Sequence, residues 1–126
     1  MVSKMRAERI ATRIREELSD ILVSSVSDPR LDWVSVTDVR VDRELSMASV
    51  YVSSMEGSER AAEILDGLEH ASGFLRRELA QRIELRAFPR LRFVWDSTPE
   101  QAERIERLIS SLHDTPPVEE GPDPDG

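Results

Sequence analysis

The chain has 126 residues, one domain's worth, and a formal net charge of −8. It has no cysteine, which excludes a disulfide framework, a thiol nucleophile and a thiolate zinc site, and its two histidines, His70 and His113, lie too far apart in sequence to suggest a metal or catalytic cluster. No apolar run approaches the roughly 20 residues of a membrane span and the N-terminus lacks an apolar leader, so a cytoplasmic protein without metal or cofactor is expected.

The first helix is expected from Ser3, a plausible N-cap, to about Val23. Ile10, Ile14, Leu18, Ile21 and Leu22 form its apolar stripe. Arg6, Arg9 and Arg13 line one edge beside that stripe, and Glu17 and Asp20 continue the same edge. Cations at the start of a helix and acids toward its end oppose the macrodipole, which favours a binding role for the basic end. Ser27-Asp28-Pro29-Arg30 ends the helix. Trp33 to Val41 reads as a strand whose alternation slips between Val36 and Val39, so a bulge is expected near Thr37 or Asp38. Asp42 to Ser46 is the turn, and Met47 to Ser54 the second strand of an antiparallel hairpin.

Gly57-Ser58 is expected to open the next helix, with Ser58 as N-cap and Ala61, Ile64, Leu65 and Leu68 on its apolar face. Ala71-Ser72-Gly73 follows, then Phe74, Leu75, Leu79 and Ile83. A glycine inside a helical pattern costs about 1 kcal/mol relative to alanine and marks a kink, or the junction of two helices. Leu91, Phe93 and Trp95 alternate as a third strand, with Arg92 between them reading as cover for the outer sheet face. Thr98-Pro99-Glu100-Gln101 is a capping box starting a last helix, whose stripe of Ala102, Ile105, Leu108, Ile109 and Leu112 is expected to be buried. The fold class is α+β, in the order α-β-β-α-kink-α-β-α, with a three-stranded sheet and helices on one face. Residues 1–112 are expected to form the domain. Residues 113–126 hold four of the seven prolines and five carboxylates, and are expected to be a disordered acidic tail.

The charge is unevenly spread. Residues 1–15 carry +4, residues 16–70 carry −9, residues 71–95 carry +4 and residues 96–126 carry −7. Two basic blocks therefore flank an acidic middle, and local patches rather than net charge govern contact with phosphate. On charge alone, phosphate contact and simple solvation of helix faces are equal readings.

The stretches Met5-Arg6-Ala7-Glu8-Arg9-Ile10-Ala11, Asp28-Pro29-Arg30, Val36-Thr37-Asp38-Val39, Ala48-Ser49-Val50-Tyr51-Val52-Ser53, Ala71-Ser72-Gly73-Phe74-Leu75-Arg76, Pro89-Arg90-Leu91-Arg92-Phe93 and Asp96-Ser97 together resemble the ribosome-binding factor A family over roughly residues 3–112. The resemblance implies a type-II KH-like fold, with the Ala71-Ser72-Gly73 segment at the helix kink in place of the GXXG loop by which other KH domains clamp RNA. It also implies the small (30S) ribosomal subunit and its 16S rRNA as partner, a role in late maturation of that rRNA, and departure before translation. No enzymatic activity, small-molecule substrate or membrane is expected, and the protein is expected to be a monomer.

The candidate RNA-binding residues are Arg6, Arg9 and Arg13 in the first basic block and Ser72, Gly73, Arg76, Arg77, Arg82, Arg86 and Arg90 in the second. A helix start near Gly73 would add unpaired N–H groups that favour phosphate. Trp33 and Trp95 read as core or edge packing, with base stacking the alternative. Asp38, Asp42, Glu44, Asp96 and Glu100 could in principle support acid–base or magnesium chemistry, but no motif fixes two of them together. A further alternative is an acidic interaction module that binds a basic partner.

Overall fold

The computed structural model describes residues 1–114, so the expected tail lies, after His113 and Asp114, outside the described residues. The chain divides into two compact units, one spanning Met1–Asp96 and the other beginning at Ser97.

In the first unit, α1 runs Lys4–Ser24, β1 Val34–Val41, β2 Met47–Ser54, α2 Ala61–Arg82 and β3 Arg90–Trp95. The sheet order is β1-β2-β3. β1 and β2 pair antiparallel, while β2 and β3 pair parallel, as a crossover through α2 requires. This is the expected α+β, KH-like arrangement. The core lies between the sheet and α1 and α2. Ile14, Leu18 and Ile21 of α1, Ile64, Leu68, Leu75 and Leu79 of α2, and Val50 and Val52 of the central strand are fully buried in it. Each such side chain contributes about 1.5–3 kcal/mol relative to exposure.

The bulge falls where the alternation slips. Val36 pairs with Val52, Asp38 with Tyr51, and Thr37 is skipped. That extra residue lets Val36 and Val39 both reach the core. The Thr37 hydroxyl donates to Asp96 Oδ2 at 2.6 Å, tying the bulge to the residue that follows β3. In the hairpin turn, Asp42 Oδ1 accepts the N–H groups of Ser46 and Met47 at 2.8 and 3.0 Å. The Ser46 hydroxyl also donates to Asp42. That bond, with the Met47 N–H next, holds the Asp42 carboxyl below the usual range.

Several local expectations are corrected. α2 is one continuous helix from Ala61 to Arg82, so Ala71, Ser72 and Gly73 lie inside it rather than at a junction of two helices. Gly73 does not have positive φ, and a Cβ built on it meets only Arg77 Nη1, at 3.4 Å. The crowded glycine is Gly67, where a Cβ would stand 3.2 Å from Leu31 Cδ2 and 3.3 Å from Arg30 Nε. The interruption in the apolar pattern thus has no counterpart in a helix break. The missing side chain that matters is the one that lets the Asp28–Leu31 turn approach α2. Ser58 opens a short 3-10 turn, Ser58–Arg60, and α2 starts after it. Trp33 precedes β1 with φ 69° and is 66% exposed, so it does not pack. Trp95 does pack, partly buried against the core.

In the second unit α3 runs Thr98–Asp114. Its box closes one residue early, with Gln101 Nε2 donating to Ser97 Oγ at 3.2 Å. The helix carries through His113, which composition alone places in the tail. Ile105, Leu108, Ile109 and Leu112 are 49–74% exposed, so the stripe is not buried. The pattern specifies an apolar face, and among the described residues its own unit offers no second element to cover it.

Candidate nucleic-acid interface

The first basic block is carried by the N-terminal half of α1. Ser3 caps the helix, its Oγ accepting the Arg6 N–H at 3.1 Å, and Ala7, Ile10, Ala11 and Ile14 turn to the core. Arg6, Arg9 and Arg13 are left on the flank. They line a groove of about 610 Å³ whose other wall is Ile83, Glu84 and Leu85, just past the end of α2. One wall thus belongs to each basic block, which no sequence separation suggests.

The second block divides by role. Arg82 Nη1 donates to Glu17 Oε1 at 3.1 Å and to Asp20 Oδ2 at 2.8 Å, and Arg13 Nε donates to Glu17 Oε2 at 3.2 Å. Arg13 Nη2 also donates to the Arg82 carbonyl at 3.0 Å. These bonds close the seam between α1 and α2. The guanidinium of Arg82, followed by that of Arg13, holds the Glu17 carboxyl below its usual range. Arg76 is engaged with backbone, donating to Phe88 O at 2.6 Å and Pro89 O at 3.1 Å, and so fixes the connector that leads into β3. Ser72, Gly73, Arg76 and Arg90, with Glu69 and Leu91, line a smaller hollow of about 280 Å³ between α2 and β3.

Arg6, Arg9, Arg77, Arg86 and Arg90 are exposed, and no described residue pairs with their guanidinium groups. Of the ten candidates, then, five present charge to solvent. Arg13, Arg76 and Arg82 are held by the protein itself, while Ser72 and Gly73 sit inside a helix whose backbone N–H groups are committed along its length. The expected helix start at Gly73, with its free N–H donors, is absent.

The open face of the sheet adds a feature that sequence reasoning does not single out. Arg40 stands over the Tyr51 ring at 5.1 Å, and Arg92 Nη2 donates to Ser49 Oγ at 3.0 Å. Arg40 pairs with Ser49 across the ladder, two residues from Tyr51. The contact could be read from sequence only by placing the bulge and the register together. Arg92 lies on the outer sheet face, where its alternation with Leu91 and Phe93 puts it.

Among the described residues, no group of three His, Asp or Glu side chains could hold a metal ion, and no helix is long and apolar enough to cross a membrane.

Comparison with known proteins bears on this geometry. The model of the family described as ribosome-binding factor A matches residues 6–109. The chain is 39% identical over 112 residues to the ribosome-binding factor A of Staphylococcus carnosus, covering 89% of this chain and 97% of that one. It is similar to the crystal structure of ribosome-binding factor A from Thermus thermophilus, with a TM-score of 0.63 and 29% identity over 71% of this chain and 93% of that one. It is also similar to a homology model of the Thermus thermophilus factor fitted into a cryo-EM map of its 30S complex. There the TM-score is 0.61 and the identity 31%, over 73% of this chain and 98% of that one.

Proposed function

The chain belongs to the ribosome-binding factor A family, and from that premise we propose that it binds the free small (30S) ribosomal subunit through 16S rRNA, assists late maturation of that rRNA and departs before translation. The observation that carries the reading is the family match over residues 6–109. The related factor fitted into a 30S map supports the choice of subunit.

The physical contribution of this chain is a set of guanidinium groups without internal counterions. Arg6 and Arg9 on α1, and Arg77, Arg86 and Arg90 on the second block, are the phosphate contacts. Arg13, Arg76 and Arg82 position them by fixing the α1–α2 seam and the connector before β3. Ser72 and Gly73 provide a low wall beside Arg90, where small side chains let an RNA backbone come close. The protein works as a monomer in the cytoplasm, without turnover of its own; its action is binding.

Cosedimentation with purified small subunits and with assembled ribosomes, each at two salt concentrations, tests the reading. The expected result is salt-sensitive binding to free small subunits and weak binding to assembled ribosomes. Equal binding to both, or binding to neither, overturns it.

A further inference from the structure

Opposite in character to the basic groove is the end of the hairpin where β1 begins and β2 stops. Trp33 stands between the Pro29–Leu31 turn and β1 in the left-handed region, with φ 69° and the residue 66% exposed. That conformation is unusual for a bulky residue. The Met55 N–H donates to the Trp33 carbonyl at 3.4 Å, which sets the two residues side by side, and Met55 is 85% exposed. A large aromatic and a flexible thioether are thus both exposed where the ladder ends. Both residue types contribute strongly to protein contacts, tryptophan as a rigid anchor and methionine as an adaptable one.

The surroundings select the partner. Asp28, Asp32, Glu56, Glu59, Glu63 and Asp66 belong to the segments that meet here, against two arginines. Both arginines are already neutralised. Arg30 donates to Asp28 at 2.9 Å and to Asp66 at 3.1 Å, while Arg60 donates to Glu63 at 2.7 Å, to Glu56, and to the Arg30 carbonyl at 3.1 Å. Asp32, next to Trp33, and Glu59, four residues after Met55, are exposed and have no ion pair among the described residues. An RNA strand approaching this end would meet like charge. A lysine- or arginine-rich polypeptide would meet opposite charge, together with an indole face that can take a cation.

We propose that the Trp33–Met55 end of the sheet docks a basic polypeptide segment, with the Trp33 ring receiving an arginine or lysine side chain and Asp32 and Glu59 holding its neighbours. This surface is separate from the guanidinium groups assigned to RNA and does not depend on that assignment. The chain's own acidic tail, with no lysine or arginine after Arg107, has the wrong charge to be the occupant.

The test uses the full chain carrying Trp95→Phe, so that Trp33 is the single tryptophan. Two probes are titrated: a fluorescently labelled peptide of alternating arginine and lysine, followed by anisotropy, and an oligouridylate of similar length. The peptide is expected to bind saturably and to change Trp33 emission, and the oligouridylate to leave that emission unchanged. In chains that keep Trp95, Trp33→Ala should weaken the peptide by about two- to fivefold, the range of an exposed cation–π contact, and Trp33→Phe should restore part of the loss. Asp32→Asn with Glu59→Gln keeps the ring and should weaken the peptide more at low salt than at high salt. Peptide affinity unchanged in Trp33→Ala and in the charge variant overturns the proposal. So does Trp33 emission that responds to the oligouridylate and not to the peptide. If cosedimentation with small subunits fails while the peptide binds at Trp33, only the rRNA reading falls.

Discussion

The two halves of α2 make opposite use of the same residue types. From Ala61 to His70 the helix carries Glu63, Asp66 and Glu69 and no lysine or arginine. The arginines that reach it come from outside the helix: Arg60 reaches Glu63 and Arg30 reaches Asp66. From Ala71 to Arg82 it carries Arg76, Arg77 and Arg82 against Glu78. There the helix supplies the arginines, Arg82 to the acids of α1 and Arg76 to the connector carbonyls, and leaves Arg77 unpaired. The glycines divide the same way, Gly67 pressed by the Asp28–Leu31 turn and Gly73 open. Whether an arginine is available to a ligand is therefore decided by which carboxylates and backbone carbonyls the fold brings to it, not by how many arginines a segment holds.

The strongest way to break this comparison is to remove the unpaired guanidinium groups at the basic end. Arg77→Ala, Arg86→Ala and Arg90→Ala combined should flatten the salt dependence of small-subunit binding by up to about one unit per lost phosphate contact, with an unchanged melting temperature. Arg76→Ala and Arg82→Ala should do the reverse, lowering the melting temperature while altering the salt slope less. If the two sets of variants behave alike, the division between contact and positioning arginines is wrong.

At the acidic end the sharpest perturbation is steric. Gly67→Leu must displace Leu31 or Arg30 from the face of α2, and overpacking of this kind costs about 1–3 kcal/mol. Chemical denaturation should show the loss, with small-subunit binding retained by the molecules that remain folded. An unchanged midpoint would mean that the Asp28–Leu31 turn can lift from the helix at no cost.

Acid should weaken both ends through different carboxyls. Asp28 is held below its usual range chiefly by its hydrogen bonds from the Arg30 side chain and then its N–H, and Glu17 by Arg82 and then Arg13. A carboxyl whose folded pKa lies below its unfolded value stabilises the fold above the unfolded value, about 4, and loses that contribution as pH falls through the folded one. The melting temperature should accordingly hold from neutrality down to about pH 4 and then decline. Asp28→Asn and Glu17→Gln should lower it at neutral pH and converge with the parent chain in acid. Both side chains are partly exposed, so the differences should shrink in high salt. Curves that stay parallel at all pH values would show that these pairs do not contribute to stability.

The parts of this picture that are legible in the sequence are those set by local pattern. The hairpin, the third strand and even the bulge follow from alternation, because Val36 and Val39 cannot both face the core without an extra residue between them. The arginine roles are not legible, because they depend on pairs such as Arg82 with Glu17, 65 residues apart. Trp33 misleads for a related reason. Its residue type favours a strand interior, while the turn that precedes it fixes its backbone outside one. Glycine misleads in a third way, since two glycines in one helical pattern look alike until the partner that crowds one of them is known.

The smallest expected effect tests that last point. Gly73→Ala adds a methyl group that meets only the end of the flexible Arg77 side chain, at an ordinary distance, in a backbone conformation open to any residue. Alanine in place of a helical glycine stabilises by about 0.5–1 kcal/mol, so the melting temperature should rise by a few degrees. The same methyl group narrows the hollow shared by Ser72, Arg76 and Arg90. If RNA backbone passes there, affinity for small subunits should fall although the protein is more stable, a combination that a purely structural glycine does not produce. A fall in stability would show that the helix bends at Gly73 after all. A rise in stability with unchanged affinity would place the RNA path along the groove of Arg6 and Arg9 and leave this hollow out of it.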